Sequence, residues 1–193
     1  MRSVVVEDLP PVFTHARART LGLSDRVLYQ WRDEGTINQL ARGIFTKPHV
    51  EADPDLLEIA IRAPYATLCL TTSLSRHGLI DEIPPMINVA LPRRKRTPRT
   101  SAPVTWHRFD ENSFEVGRTS LTVLGEITIG IYGPVRSIVD AFRLTHLYGP
   151  EQAVEALKRW IKVPGNQASD LLRMAGHFPV AESPIRRVLE ILL

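Results

Sequence analysis

Residues 14–47 read THARARTLGLSDRVLYQWRDEGTINQLARGIFTK, and the signals in this stretch decide the interpretation of the whole chain. The pattern predicts a short helix over 14–21, followed by a tight turn at Gly22, because a residue without Cβ tolerates positive φ. Ser24 is a good N-cap for a second helix. Gly35 ends that helix, so the stretch begins with two short helices joined by a turn.

The second half of this stretch predicts a β-hairpin. Residues 37–40 and 44–46 have strand character, and Arg42-Gly43 lies between them at the tip. Two helices joined by a tight turn and followed by a basic hairpin are typical of a winged helix-turn-helix, whose second helix enters the DNA major groove. We therefore expect a winged helix-turn-helix DNA-binding domain over residues 1–48.

The side chains of this domain suggest how DNA would be contacted. Arg26 is suited to guanine and Gln30 to adenine, since these pairings match in hydrogen-bond geometry. Basic residues of the hairpin would lie on the phosphate backbone. The predicted DNA-contacting residues are Ser24, Arg26, Tyr29, Gln30, Arg32, Arg42 and Lys47. The alternative is an ordinary helical pair with solvated arginines, joined to a hairpin.

Residues 49–193 predict a mixed α/β domain whose helices are concentrated towards its C-terminal end. Asp53-Pro54 opens a helix, with Asp as N-cap and Pro in the first turn. Four or five strands are expected between residues 65 and 132, and four helices after them. The strand segments are 65–70, 87–91, 104–109, 121–124 and 127–132, and the later helices are 133–147, 151–161, 167–175 and 184–193. The complete chain is thus expected to have an α/β (α+β) fold.

Positive charge is concentrated outside the predicted DNA-binding domain as well. The net charge of the chain is only +3, but residues 86–109 hold six basic side chains and no acid. Five of them lie in a proline-punctuated loop between two strands, namely Arg93, Arg94, Lys95, Arg96 and Arg99. Such density favours contact with a polyanion, here the DNA backbone. A solvated hairpin tip and an acidic protein surface are the alternatives.

The sequence offers little for catalysis or for a cofactor. The single cysteine, Cys69, allows no internal disulfide, and the six histidines have no metal-ligand spacing. Ser73 and His77 lie close in sequence, but no Gly-x-Ser-x-Gly elbow surrounds the serine, which favours a structural role. We expect neither enzymatic activity nor a cofactor or metal. Without a signal peptide or an apolar run of membrane-spanning length, a cytoplasmic protein with no membrane contact is expected.

Three segments resemble the AbiEi family of antitoxins from type IV bacterial toxin–antitoxin systems. They are LARGIFTKP at 40–48, LTTSLSRHGL at 70–79 and ITIGIYGPVRSIVDAF at 127–142. The resemblance spans roughly residues 12–148. In the family the third segment is a strand, a Pro-Glu-Arg-like turn and a helix with a buried Asp. Pro134-Val135-Arg136 and Asp140 occupy these positions here, so the glutamate is replaced by valine.

The resemblance implies an antitoxin with two activities. Its N-terminal domain would bind its own promoter and repress it, and the remaining domain would neutralise a nucleotidyltransferase-like toxin. Because one small domain recognises few base pairs, two copies on inverted repeats are expected. The alternatives are a stand-alone winged-helix transcription factor and a nucleic-acid-processing enzyme.

Overall fold

The computed structural model describes residues 4–192, which form a mixed α/β fold with ten α-helices and two β-sheets. A single 3₁₀ turn, Val6–Asp8, precedes the first strand. The helices are α1 (His15–Thr20), α2 (Asp25–Asp33), α3 (Pro54–Arg62), α4 (Leu70–Arg76), α5 (Glu111–Phe114), α6 (Pro134–Arg143), α7 (Thr145–Tyr148), α8 (Pro150–Ile161), α9 (Ala168–Ala175) and α10 (Pro179–Leu192). The strands are β1 (Val12–Thr14), β2 (Asn38–Ala41), β3 (Ile44–Thr46), β4 (Thr67–Leu68), β5 (Ile87–Pro92), β6 (Val104–Phe109), β7 (Arg118–Leu124) and β8 (Ile127–Tyr132).

The first two predicted helices and the hairpin are confirmed as α1, α2 and β2–β3. Gly22 has a φ of +92° in the turn between the helices. The Ser24 side chain accepts a hydrogen bond from the Val27 backbone N–H at 3.4 Å, as expected of an N-cap. The sequence prediction missed β1, which pairs with β3 and completes a three-stranded antiparallel sheet.

A buried apolar cluster holds the two helices against this sheet. Phe13 and Phe45 stack with their ring centroids 5.8 Å apart. Leu28 of α2 and Ile37 join them, and both are almost inaccessible to solvent. This cluster fixes the orientation of α2, so its polar face is turned outward.

The second sheet has five strands in the order β6-β5-β4-β8-β7. It pairs β4 with β8 and β5 with β6 in parallel, and its other two pairs are antiparallel. The loop between β5 and β6 is therefore a crossover, which rules out the hairpin-tip alternative. Strands β5 and β6 run in the same direction, with Ile87 opposite Val104 and Pro92 opposite Phe109, so a tight hairpin cannot connect them.

Helices cover both faces of the second sheet. Val89 and Ile131 point to the face that carries α3, and their neighbours Ala90 and Tyr132 belong to the cluster on the opposite face. On that side lies a helical layer whose core contains side chains of α4, α6, α8, α9 and α10. Because helices cover both faces and successive side chains point to opposite faces, these strands are apolar on both sides.

The helical layer differs from the prediction at two points. The helix expected over 133–147 is divided at Leu144 into α6 and α7. The helix expected from residue 184 begins at Pro179 instead, with Pro184 inside it. Ala181 and Ile185 are both buried in the helical core, and this packing offsets the backbone hydrogen bond that a proline cannot donate.

The two sheets share an apolar cluster. Val12, Ala41 and Ile44 of the first sheet pack with Leu57 of α3, and the ends of β7 and β8 contribute half-buried side chains. The predicted domain boundary between residues 48 and 49 lies in the connection from β3 to α3. Across this boundary, the shared cluster packs the first sheet directly against α3, β7 and β8.

Arg136 is fully buried, with 0% of its side chain exposed. Its Nε donates to Asp140 Oδ2 at 3.0 Å, and Nη1 donates to the backbone carbonyl of Ser113 at 2.8 Å. The guanidinium carbon lies 4.2 Å from the ring centroids of both Tyr132 and Phe178. These contacts join β8, α6, α5 and the residue before α10.

Asp140 is the carboxylate of this buried cluster, and Arg143 donates to its second oxygen at 2.8 Å. Burial raises the pKa of Asp140, while the guanidinium groups of Arg136 and Arg143 oppose that shift. Arg136 therefore has a carboxylate partner, Asp140, which α6 supplies four residues later, while its neighbour Val135 carries no charge.

Replacing Arg136 by Ala is expected to lower the free energy of unfolding by about 3–5 kcal/mol, because it leaves buried polar partners unpaired. Thermal and urea unfolding followed by circular dichroism measure the loss. Arg173→Ala is the control: it removes an exposed arginine that pairs with Asp170 on α9, and the expected loss is below about 1 kcal/mol. Equal stability of Arg136→Ala and the unsubstituted chain would refute the role of the cluster.

Candidate nucleic-acid interface

The exposed face of α2 carries three of the predicted DNA-contacting side chains. Arg26, Tyr29 and Gln30 are all exposed, and Leu28 between them is buried. Arg26 lies in the first turn of α2. In helix-turn-helix proteins the N-terminal residues of the second helix contact base edges. The helix therefore presents side chains that can donate to and accept from bases.

Three of the predicted residues on α2 or at its N-cap, namely Ser24, Gln30 and Arg32, already make local contacts. The Gln30 amide donates to Glu34 Oε1 at 2.8 Å, one turn further along the helix. Arg32 donates to Asp33 at 2.8 Å and lies over the Tyr29 ring, 4.8 Å from its centroid. Ser24 uses its hydroxyl as the helix cap. To contact a base, the Gln30 amide would have to give up its hydrogen bond to Glu34.

The β2–β3 hairpin presents Arg42 at its tip. Its side chain is exposed, and its backbone carbonyl accepts a hydrogen bond from Arg62 Nη2 at 2.8 Å. Lys47, at the other end of β3, is half-buried and donates to the carbonyl of Glu7 at 3.1 Å. Of the two residues predicted to contact the phosphate backbone of DNA, Arg42 is thus the more accessible.

Helix α1 adds cations that the sequence interpretation did not select. Arg17 and Arg19 are exposed, and Arg19 lies 3.8 Å from Asp25 at the start of α2. His15 is 3.2 Å from the same carboxylate. The two arginines within this six-residue helix could have indicated exposed positive charge beside α2.

The loop of residues 93–99, here called the basic loop, lies on the second sheet. Arg93, Arg94, Lys95 and Arg96 are all exposed. Arg94 is 3.8 Å from Glu111, and the ammonium of Lys95 lies 4.3 Å from the centroid of the Tyr65 ring. The loop therefore directs most of its positive charge into solvent.

One side chain outside the predicted site shapes the basic loop. Arg108 of β6 donates to the backbone carbonyls of Arg93 and Lys95 and, at 2.5 Å, to the Thr97 hydroxyl. Turning the loop's carbonyls inward leaves its basic side chains pointing outward. The sequence prediction missed Arg108 because the contact depends on the parallel pairing of β5 and β6.

A polar network lies near the opposite end of β5. Asn88 Oδ1 accepts from His107 Nε2 at 2.8 Å and from the Tyr148 hydroxyl at 2.6 Å. The Asn88 amide donates to the Thr71 hydroxyl at 2.7 Å. Burial lowers the pKa of His107, so its neutral form is favoured.

The residues considered for catalysis have structural contacts. The Ser73 hydroxyl is buried and donates to the Leu70 carbonyl at 2.9 Å, and His77 Nε2 donates to the Tyr132 carbonyl at 2.8 Å. Among residues 4–192, no group of three or more His, Cys, Asp or Glu side chains is placed to hold a metal ion. None of the described helices is long and apolar enough to cross a membrane.

Comparison with known proteins finds a similar fold but no matching sequence. No protein-family model and no curated protein sequence matches the chain. The fold is similar to that in the crystal structure of the RV2827C protein from Mycobacterium tuberculosis, with a TM-score of 0.62. The sequences are 18% identical, and the alignment covers 95% of this chain and 73% of that chain. The similarity therefore establishes a shared mixed α/β fold and nothing about function.

The lowered pKa of His107 gives a testable pH dependence. Below the ordinary histidine pKa of 6.5 the unfolded chain binds this proton more readily, so acidification should destabilise the folded state. Urea unfolding between about pH 7.5 and about pH 5.5 should show a smaller loss for His107→Gln, which keeps an N–H donor for Asn88. His146→Gln, on an exposed histidine of α7, is the control. Identical losses for all three proteins would contradict this assignment.

Proposed function

We propose that the chain is a DNA-binding antitoxin that represses its own operon and neutralises a nucleotidyltransferase-like toxin. The observation that carries the DNA-binding part is the exposed face of α2, with Arg26, Tyr29 and Gln30 beside a basic hairpin. In this proposal α2 is the recognition helix and the hairpin is the wing. The protein acts in the cytoplasm, where operon and toxin are found.

Charge supports duplex DNA as the ligand. Arg26 can read a guanine edge, and Arg42 at the tip of the hairpin can contact a phosphate. The basic loop, with Arg93 to Arg96 exposed, extends the positive surface onto the second sheet. Two copies on inverted repeats would supply the specificity that one α2 helix lacks.

A protein partner is supported by a separate surface. Ile83 is 86% exposed, and Met86, Leu147 and Tyr148 are also exposed apolar or aromatic side chains. Asn88 connects two of them, since it accepts from the Tyr148 hydroxyl and donates to the Met86 carbonyl. Exposed apolar groups near one another favour protein contact. We assign this surface to the toxin, following the resemblance to the AbiEi antitoxins.

Arg26→Ala tests the recognition helix. The substitution should cost about 1–3 kcal/mol of binding free energy on the specific site and relax base preference. Footprinting and titration on the DNA upstream of the chain's own gene measure both effects. Arg173→Ala, which removes a charge from α9, should leave the footprint intact. An unaltered footprint for Arg26→Ala would show that α2 is not the recognition helix.

Ile83→Glu tests the toxin-binding surface. Replacing the most exposed apolar side chain of this surface by a charged one should abolish rescue of cells that co-express the toxin encoded beside the chain, while promoter binding persists. Val180→Glu is the matched control, because Val180 is 72% exposed on α10. If Ile83→Glu still rescues the cells, this surface does not bind the toxin. If the unsubstituted chain represses but never rescues, the chain is a transcription factor alone.

A further inference from the structure

The tip of the hairpin and the basic loop border one cleft. It has a volume of about 390 Å³ and is lined by Thr14, Arg42, Gly43, Arg62, Pro98 and Arg99, together with two isoleucines. Three of these residues are arginines, and none of the described residues that line the cleft is acidic. Arg42 and Arg99 are exposed at its rim. The first sheet and the second sheet thus contribute cations to a single concave surface.

A chain of hydrogen bonds beneath the cleft fixes its two sides relative to each other. Glu58 of α3 is 3% exposed, and its Oε2 accepts from the backbone N–H groups of Ser101 and Ala102 at 2.9 and 3.1 Å. Its Oε1 accepts from Arg62 Nε at 2.7 Å. Arg62 in turn donates to the Arg42 carbonyl at the tip of the hairpin. The buried Glu58 carboxylate therefore links two parts of the chain. Its Oε2 holds the end of the β5–β6 crossover, and its Oε1 holds Arg62, which contacts the hairpin.

We propose that this cleft binds a backbone phosphate of the duplex held by α2, so that hairpin and basic loop contact one continuous DNA molecule. The inference rests on the proposed DNA-binding function and adds a specific contact to it. Arg62 is paired with Glu58, but Arg42 and Arg99 are exposed and none of the described lining residues is acidic, so the cleft is electrostatically suited to a phosphate diester. Glu58 and Arg62 act as positioning residues, since they fix the cleft before DNA arrives and reduce the entropy cost of binding.

Arg99→Ala tests the phosphate contact. The full-length chain is titrated into a fluorescein-labelled duplex of mixed sequence over a range of KCl concentrations, because phosphate contacts do not depend on sequence. Arg99→Ala should weaken binding several-fold at low salt and reduce the slope of log affinity against log salt by about one. Arg173→Ala removes the same charge from α9 and should leave the slope unchanged.

Glu58→Gln separates positioning from charge. The substitution makes the chain more positive, so charge alone would strengthen DNA binding. If Glu58 positions the cleft, binding weakens instead, because an amide has only one oxygen to accept the hydrogen bonds that two oxygens accept now. Glu126→Gln, an exposed acid in the turn between β7 and β8, is the control and should not weaken binding. Circular dichroism verifies that each variant is folded.

The outcomes distinguish this inference from the proposed function. If the unsubstituted chain fails to bind DNA, or if Arg26→Ala and Arg99→Ala are both without effect on its binding, DNA binding by this surface is refuted. If Arg26→Ala weakens binding but Arg99→Ala retains full affinity and slope, only the cleft assignment is wrong. Calorimetric titration with inorganic phosphate provides the last comparison. Tight phosphate binding that Arg99→Ala abolishes, with duplex affinity unchanged, would identify a site for a free anion and overturn the inference.

Discussion

The contact between the Arg136 guanidinium and the Asp140 carboxylate, enclosed by the rings of Tyr132 and Phe178, determines how the helical layer sits on the second sheet. Removing both ions from water is costly, and the cost is recovered only when the geometry satisfies their remaining hydrogen-bonding groups. Here Arg136 Nη1 donates to the backbone carbonyls of Ser113 and Val116. Among the described residues, Arg136 Nη2 and Arg143 Nε have no hydrogen-bond partner, and the two guanidinium groups lie against aromatic rings instead. Because two arginines share one carboxylate, the cluster also retains positive charge, which makes the surrounding carbonyls necessary for its stability.

This constraint extends to the candidate interface through packing. Strand β8 carries Tyr132 on the helical side, and Ile129 and Ile131 on the other side pack in the cluster that contains Ile59 of α3. Helix α3 also supplies Glu58 and Arg62 beneath the cleft. The position of the basic surface is thus set by an apolar sheet, whose own position depends on the buried ions.

Local signals in the sequence predicted much of the chain, and long-range pairing accounts for the rest. Gly22 and Ser24 indicated α1 and α2 because turns and caps depend on neighbouring residues. The exposed basic loop followed from charge density. Strand β1 was missed because it has three residues and is stabilised only by pairing with β3. The cleft could not be predicted either, because nothing in the sequence around Glu58 indicates its contact with residues 101 and 102.

The shared cluster of Val12, Ala41, Ile44 and Leu57 has a consequence for how this protein could be recombined with others. A gene fusion that moved residues 1–48 onto a different chain would carry away one half of an apolar contact and leave the other half uncovered. Each half would then need new side chains before it could remain in solution without aggregating. Under the proposed function, a change of DNA specificity is therefore expected to proceed by substitutions on the outer face of α2, with α3 and the β7–β8 hairpin retained beneath the first sheet.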